Sequence, residues 1–310
     1  MRGRSSQLAR SFTPGSAIST VRSVVDVVRE MSLDDIRRAA EHPPVVVVVA
    51  DDPGSAATIA HGLFGTDTAE HVQVVAPGDP RIDLADIVIL ATPGVVSAVG
   101  DVIDVARNGD AIDIAATQTK MAQLPSEVAI ALARVHPSLR PAVSRHIISS
   151  TSRANAQFAL VSSASTAVPI VGNLVAAGAD VIVLTKNQLL MVYKLAAVHG
   201  RDLDSRSALL LEMAPVIGAG LGWRALARAA VSLLPAMLGA VPKTAIAWTG
   251  TAAAGTAAHV YYGAGAGRLP SATSRGILWV QFNGGRLMST ARNAVRRRRS
   301  GDTEAGTVHP

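Results

Sequence analysis

The stretch Val168–Gly200, VPIVGNLVAAGADVIVLTKNQLLMVYKLAAVHG, constrains the rest of the chain most. It opens on a Pro-Ile-Val-Gly turn and passes through an apolar segment whose one acid is Asp180. It then becomes amphipathic and stops at Gly200, where a helix C-cap glycine belongs. The apolar run from Ala159 to Thr185 has roughly the 20 residues that a bilayer core requires, but Pro169, Gly172 and Gly178 interrupt it. Two arrangements satisfy that pattern: a broken or re-entrant membrane helix, or two helices packed on each other in water.

Composition favours the membrane arrangement. The chain is 49% hydrophobic and only 17% charged, with a mean hydropathy of +0.31, whereas a soluble domain averages about 25% charged residues. The deficit is concentrated after Ala159, and Ala, Val and Gly supply most of the apolar content, which suits close helix approach within a membrane. The absence of cysteine excludes disulfides, zinc–cysteine sites and thiol catalysis. Much of the net charge of +6 sits at the two ends, in Arg2, Arg4 and Arg10 and in Arg292 and Arg296–Arg299. Basic ends around an apolar middle read as juxtamembrane anchors and make membrane lipids the expected partner, with both termini cytoplasmic and an even number of crossings. Nucleic acid is the rival partner, but only Trp279 and Phe282 lie near the arginine run, so no base-stacking platform is evident. No apolar core follows the early arginines, as a secretory signal would require.

The pattern divides the chain into a helical, basic segment (1–42), an α/β unit (43–137), a linker helix (138–158), a helical membrane domain (159–267) and a C-terminal segment with a basic tail (268–310). The expected fold class is therefore α/β plus all-α. Val45–Ala50, five valines and an alanine, predicts a strand apolar on both faces, as in a parallel sheet. Further strands are expected at His71–Ala76, Asp86–Ala91 and Ala111–Ala116. Helices are expected at Ala56–Phe64, from Thr92-Pro93-Gly94 through Ala106, and at Ser126–Val135. Gly250, Ala254 and Ala258 stand four apart, as in a tight helix–helix seam.

Three stretches bear on chemistry. The turn after the first strand has the setting of a phosphate-binding loop, which needs G-x-x-x-x-G-K-[ST]. The aligned run Ala50-Asp51-Asp52-Pro53-Gly54-Ser55-Ala56-Ala57 replaces both glycines, the lysine and the hydroxyl, and two aspartates stand where phosphate would come. Ala91-Thr92-Pro93-Gly94 is similar to the Asp-Thr-Pro-Gly that GTPases place near Mg²⁺, with the Asp missing. Ala115-Ala116-Thr117-Gln118-Thr119-Lys120 stands where a guanine-reading Asn-Lys-x-Asp would be. If a nucleotide is bound, as GTP with Mg²⁺, the residues placed to hold it are Gly54, Ser55, Thr92 and Gly94; otherwise no cofactor and no metal is expected. The third stretch is the set of polar groups in the apolar half: Asn173, Asp180, Lys186, Gln188, Glu212, Arg224, Arg228, Lys243 and His259. Charges inside membrane segments mark functional sites by default, but no relay spacing appears, and structural pairing of Asp180 with Lys186 or Arg224 is the favoured reading. The other histidines are scattered, and no serine has a nucleophile-elbow context.

The segment Pro169-Ile170-Val171-Gly172, Asp180, Thr185, Gln188, Met191, Tyr193-Lys194-Leu195-Ala196 and His199-Gly200 resembles the YcjF-like domain of bacterial membrane proteins. So does the second half, with Gly218-Ala219-Gly220, Arg224-Ala225-Leu226-Ala227-Arg228, Pro235, Lys243, Gly250-Thr251, Gly255 and Tyr261-Tyr262. The resemblance covers roughly 159–267 and belongs to a family without a defined activity. That domain often accompanies Era-like GTPase domains, so the resemblance implies that Val45–His136 is a shrunken relative of one. The expectation is a non-catalytic protein at the cytoplasmic face of the bacterial inner membrane, whose vestigial GTPase-like unit recruits a protein partner such as a true GTPase. The alternative is a divergent nucleotide-binding switch coupled to the helical domain. Asp180, Gln188, Arg224, Arg228, Lys243, Gly250 and Gly255 are the expected polar and packing residues of the helical domain.

Overall fold

The computed structural model describes residues 34–66, 71–92, 100–165, 173–203 and 240–264; for some of these, including 173–182 and 240–243, only the backbone is described. After helix α1 (Asp34–Glu41) comes β1 (Val46–Val49), every residue of which is buried. Helix α2 (Pro53–Phe64) leads to β2 (Val72–Val75), and a 3₁₀ turn (Pro80–Leu84) leads to β3 (Ile87–Leu90) and then β4 (Asp101–Asp104). The four strands form one parallel sheet in the order β2-β1-β3-β4, with Val46 level with Val72 and Ile87.

Strands buried on both faces must be apolar throughout, and β1 and β3 are. Val46, Val48, Ile87 and Ile89 face the larger core with Ala56, Leu63, Ile130 and Leu132. Val47, Val49, Val88 and Leu90 form a second cluster with Ile82 and Ala85 of the β2–β3 connection. The first core continues without a break through Leu139, Val143 and Leu189 to Leu195 and Val198, so sheet and helices share one interior.

Two sequence expectations are corrected here. Of the helix expected through Ala106, residues 93–99 lie outside the described residues, and Asp101–Asp104 form β4, an edge strand with only Ile103 buried. Gly100 starts that strand at φ +83°, and a Cβ there would stand 2.6 Å from the Ala85 carbonyl oxygen, so the chain turns where only glycine fits. The strand expected at Ala111–Ala116 is not the sheet's fourth. Residues Ala111–Ile112 (β6) pair antiparallel with Arg107–Asn108 (β5) in a separate hairpin. Asp113 then caps helix α3 (Ile114–Met121), its Oδ1 accepting the Ala116 N–H at 2.8 Å, and this ends the apolar run as a strand.

Helix α4 (Ser126–Val135) forms as expected and packs between the sheet side and the long helices. Those are α5 (Arg140–Ser165), α6 (Asn173–Val198) and α7 (Ala240–Gly263). Helix α5 runs unbroken across the position where the sequence places the end of a linker. Cross-helix contacts fix the directions. Asn155 meets Asn187 and Thr251, while a Cβ on Gly255 would meet Ile148 and Met191. Helix α5 is therefore antiparallel to both α6 and α7, which run side by side toward the α/β unit. Arginines close the junction: Arg134 donates to the carbonyls of Ala197 and Arg201, and Arg140 to those of Ala133 and Arg134, satisfying helix C-termini. No helix among the described residues is long and apolar enough to cross a membrane.

Candidate functional site

In an open parallel sheet, ligands enter the crevice outside the carboxyl ends of the strands, where neighbouring connections diverge. Here β1 leads away toward β2 and β3 toward β4, on the other side, so the divergence lies between β1 and β3. The fold thereby brings together the two turns that the sequence singles out. The Asp51 N–H donates to Thr92 Oγ1 at 3.1 Å, joining the end of β1 to the end of β3.

The first turn is occupied by its own side chain. Asp52 is the N-cap of α2, and its Oδ2 accepts the Ser55 N–H at 2.7 Å. The backbone N–H of Ser55, followed by its side chain, holds the Asp52 carboxyl below the usual carboxylate range. Pro53 removes one further N–H from the helix N-terminus. A Cβ on Gly54 would stand 3.2 Å from Asp52 Oδ2, so the glycine makes room for the cap. A helix N-terminus receives phosphate because its N–H groups are free and its dipole favours an anion. In α2 a carboxylate already fills that role.

Cations close the neighbouring strand ends. Arg107 donates through Nη2 to the Ala91 carbonyl at 2.7 Å and through Nη1 to that of Asp110 at 3.3 Å. Lys120 Nζ donates to the Asp104 carbonyl at 2.9 Å. Both cations are therefore spent on backbone. The sequence gives no sign of the Arg107 contact, because it depends on a hairpin that periodicity does not reveal. Gly94 lies outside the described residues, and among the described residues no group of three or more His, Asp or Glu is arranged to hold a metal.

The helical half has a second polar centre. Asn155, fully buried on α5, donates through Nδ2 to Thr251 Oγ1 of α7 at 2.9 Å and accepts at Oδ1 from Asn187 Nδ2 of α6 at 2.8 Å. Gln188 Nε2 donates to the same Thr251 oxygen at 3.2 Å, and Thr251 itself donates to the Ala247 carbonyl. One layer thus ties all three helices. Of the expected residues, Gln188 belongs to it, and Gly250 and Gly255 are buried beside it on α7. Asn155 and Asn187 were not expected; they lie 32 residues apart, and no local pattern links them. The side chains of Asp180 and Lys243, and all of Arg224 and Arg228, lie outside the described residues, so the pairing expected for Asp180 falls there too. Nearer the α/β unit, His199 and His259 meet with Nε2 and Nδ1 3.0 Å apart, two histidines that in sequence look unrelated.

Just beyond the polar layer, away from the α/β unit, large apolar side chains face outward. Leu160 is 51% exposed, Val161 70%, Val183 37% and Trp248 48%. At 1.5 Å of rise per residue, these positions on α5, α6 and α7 all lie within about 9 Å of the layer and on the same side of it. They share one level of the bundle. No family model matches the chain, and neither a curated protein nor a solved structure matches it.

Proposed function

We propose that the chain is a non-catalytic adaptor at the cytoplasmic face of a bacterial inner membrane. Its helical bundle seats its far end on lipid, and its α/β unit presents a surface to a protein partner, for which a GTPase is the candidate implied by the YcjF-like resemblance. The observation that carries this reading is the exposed level of Leu160, Val161, Val183 and Trp248. Apolar side chains at one height around a bundle, with a tryptophan among them, suit the boundary between headgroups and acyl chains.

Charge supports the same orientation. Residues 43–137 hold twelve acidic and four basic residues, a net −8, which leaves +14 on the rest of the chain. The basic portion is attracted to anionic lipid, and the acidic unit is repelled from it. The carboxylate capping α2 supports a scaffold role for the α/β unit over a nucleotide site. Vesicle flotation tests the reading. The full chain is expected to float with vesicles containing phosphatidylglycerol, and the triple variant Leu160→Glu, Val161→Glu, Trp248→Glu to lose at least tenfold in partitioning. Equal partitioning of the two proteins, or failure of the native chain to float, overturns it.

A second reading has one observation in its favour. The Gly54 and Thr92 turns meet at the sheet's divergence point, where a divergent switch would hold GTP with Mg²⁺. Titration calorimetry with GTP and ATP, each with Mg²⁺, decides between them: the adaptor gives no binding heat, the switch a saturating one.

A further inference from the structure

The histidine pair has no part in the lipid-facing level or in the sheet crevice, yet it joins two long helices. His199 follows the last residue of α6, and His259 sits one turn before the end of α7. Their facing nitrogens are 3.0 Å apart and the ring centroids 5.0 Å, with the planes at 53°. Tyr262 lies against His199 with its ring centroid 6.4 Å away. Gly263 leaves the imidazole its space, since a Cβ there would come within 3.4 Å of His199 Cε1. We propose that His199 and His259 form an acid-released latch, which fastens the C-terminal end of α6 to α7 while the pair carries at most one extra proton and opens when both rings are charged.

Proton counting gives the latch its threshold. In the neutral pair one ring donates and the other accepts. A first added proton goes to an outward-facing nitrogen and leaves that bond in place. A second makes both inner nitrogens donors, so N–H meets N–H and the contact cannot persist.

The surroundings oppose both charges. Helix α5 brings Arg140 and Arg145, and α4 brings Arg134, which caps the α6 carbonyl of Ala197. Arg201 and Asp202 follow the latch, and α7 adds Tyr261 beside Tyr262. On α6 itself, Lys194 is a turn away, bonded to Ser126 Oγ with Glu127 in its field. Helix α1, also packed on α6, carries Asp34, Arg37, Arg38 and Glu41, with Arg37 and Glu41 3.6 Å apart. The influences felt at the two rings are burial and cations. Burial first, then His259 and Arg140, holds His199 down to about 4, and burial with Arg145 lowers His259. A histidine lowered in the folded state stabilises the closed form fully above its ordinary value of 6.5, and loses that stabilisation as pH falls from there toward about 4.

Hydrogen–deuterium exchange on the full chain tests the latch, read in peptides from 190–200 and 255–264 and corrected for the intrinsic pH dependence of exchange. Between pH 7.5 and 5, protection of both segments in the native chain is expected to fall by roughly tenfold or more, while that of β1 and β3 holds. His259→Gln keeps a bond to His199 but leaves one titrating ring instead of two, and its protection is expected to fall less than that of the native chain over the same range. Equal pH profiles in the two proteins overturn the proposal. If His259→Gln fails to fold, the ring proton shifts of the native chain decide. Both histidines titrating near 6.5 overturns the latch, and two transitions below that value, with that of His199 the lower, support it.

Discussion

Replacing Thr251 by valine isolates the polar layer from packing. The two side chains have nearly the same volume, so no cavity opens and the loss is that of the hydroxyl. Thr251 is 1% exposed and Asn155 0%, so water cannot replace what is removed. Two neutral hydrogen bonds end at Thr251 Oγ1, from Asn155 at 2.9 Å and from Gln188 at 3.2 Å. Each contributes about 1 kcal/mol net, and leaving a buried donor unpaired costs about 1–3 kcal/mol more. Gln188 is only half-buried and can turn to water, so the penalty falls mainly on Asn155. The expected loss is about 2–4 kcal/mol, read as a shift of the urea midpoint by circular dichroism at unchanged slope.

The double variant Asn155→Leu, Thr251→Val makes the reasoning sharper. Asn155→Leu alone also removes the acceptor of Asn187, whose amide is half-buried. With both polar partners gone, the strandedness of the Asn155 amide disappears. The double variant is therefore expected to lose at least about 1 kcal/mol less than the sum of the singles. Additive losses, or a Thr251→Val protein within about 0.5 kcal/mol of the native chain, would refute the layer as a unit that holds α5, α6 and α7 together.

Gly100→Ala forces a Cβ against the Ala85 and Asp86 carbonyl oxygens at φ +83°, and is expected to cost at least about 3 kcal/mol in chemical denaturation, from left-handed strain plus a clash that backbone cannot yield to. Gly255→Ala gains up to about 1 kcal/mol in helix propensity but sets a Cβ 2.7 Å from Ile148 Cγ1 and 3.0 Å from Met191 Sδ. Overpacking of about 1–3 kcal/mol wins, and the melting temperature is expected to fall and to recover in part when Ile148→Ala is added. Asp52 is expected to titrate below its ordinary value of 3.8 by carboxyl-carbon NMR, so its capping of α2 is intact above that value and lost as pH falls through the lowered one. Ser55→Ala should return the midpoint only part of the way, because the backbone N–H is the larger cause.

Where one residue type and one environment determined an element, it was legible. Five valines in a row have no amphipathic face to offer, so Val45–Ala50 had to be a strand covered on both sides, and Val46–Val49 is. The small-residue seam was legible for a similar reason: Ala254 and Ala258 are buried on α7, with Gly255 beside them against α5. The edge strand β4 was not. Val102 and Ile103 lie between two aspartates, a pattern that a helix end shares, and the deciding fact is the positive φ of Gly100. Sheet order was equally hidden, since the sequence names two turns but only the parallel pairing of β1 with β3 brings Asp51 to Thr92.

The helical half shows why hydropathy pointed to a membrane while no described helix is apolar enough to cross one. A high average can arise from a uniformly greasy helix, or from a bundle that puts polar groups inside and apolar ones outside along part of its length. At the level of Asn155, Asn187 and Thr251 the interior is polar, and within about two turns of it Leu160, Val161, Val183 and Trp248 face out. Toward the α/β unit the order returns to that of a soluble core, with Leu189, Val192 and Leu195 inside. The bundle therefore changes character along its axis. The proposed seat on lipid at the far end of the bundle would require that change, and Gln188, which the sequence singles out among the polar groups, stands in the layer where it occurs.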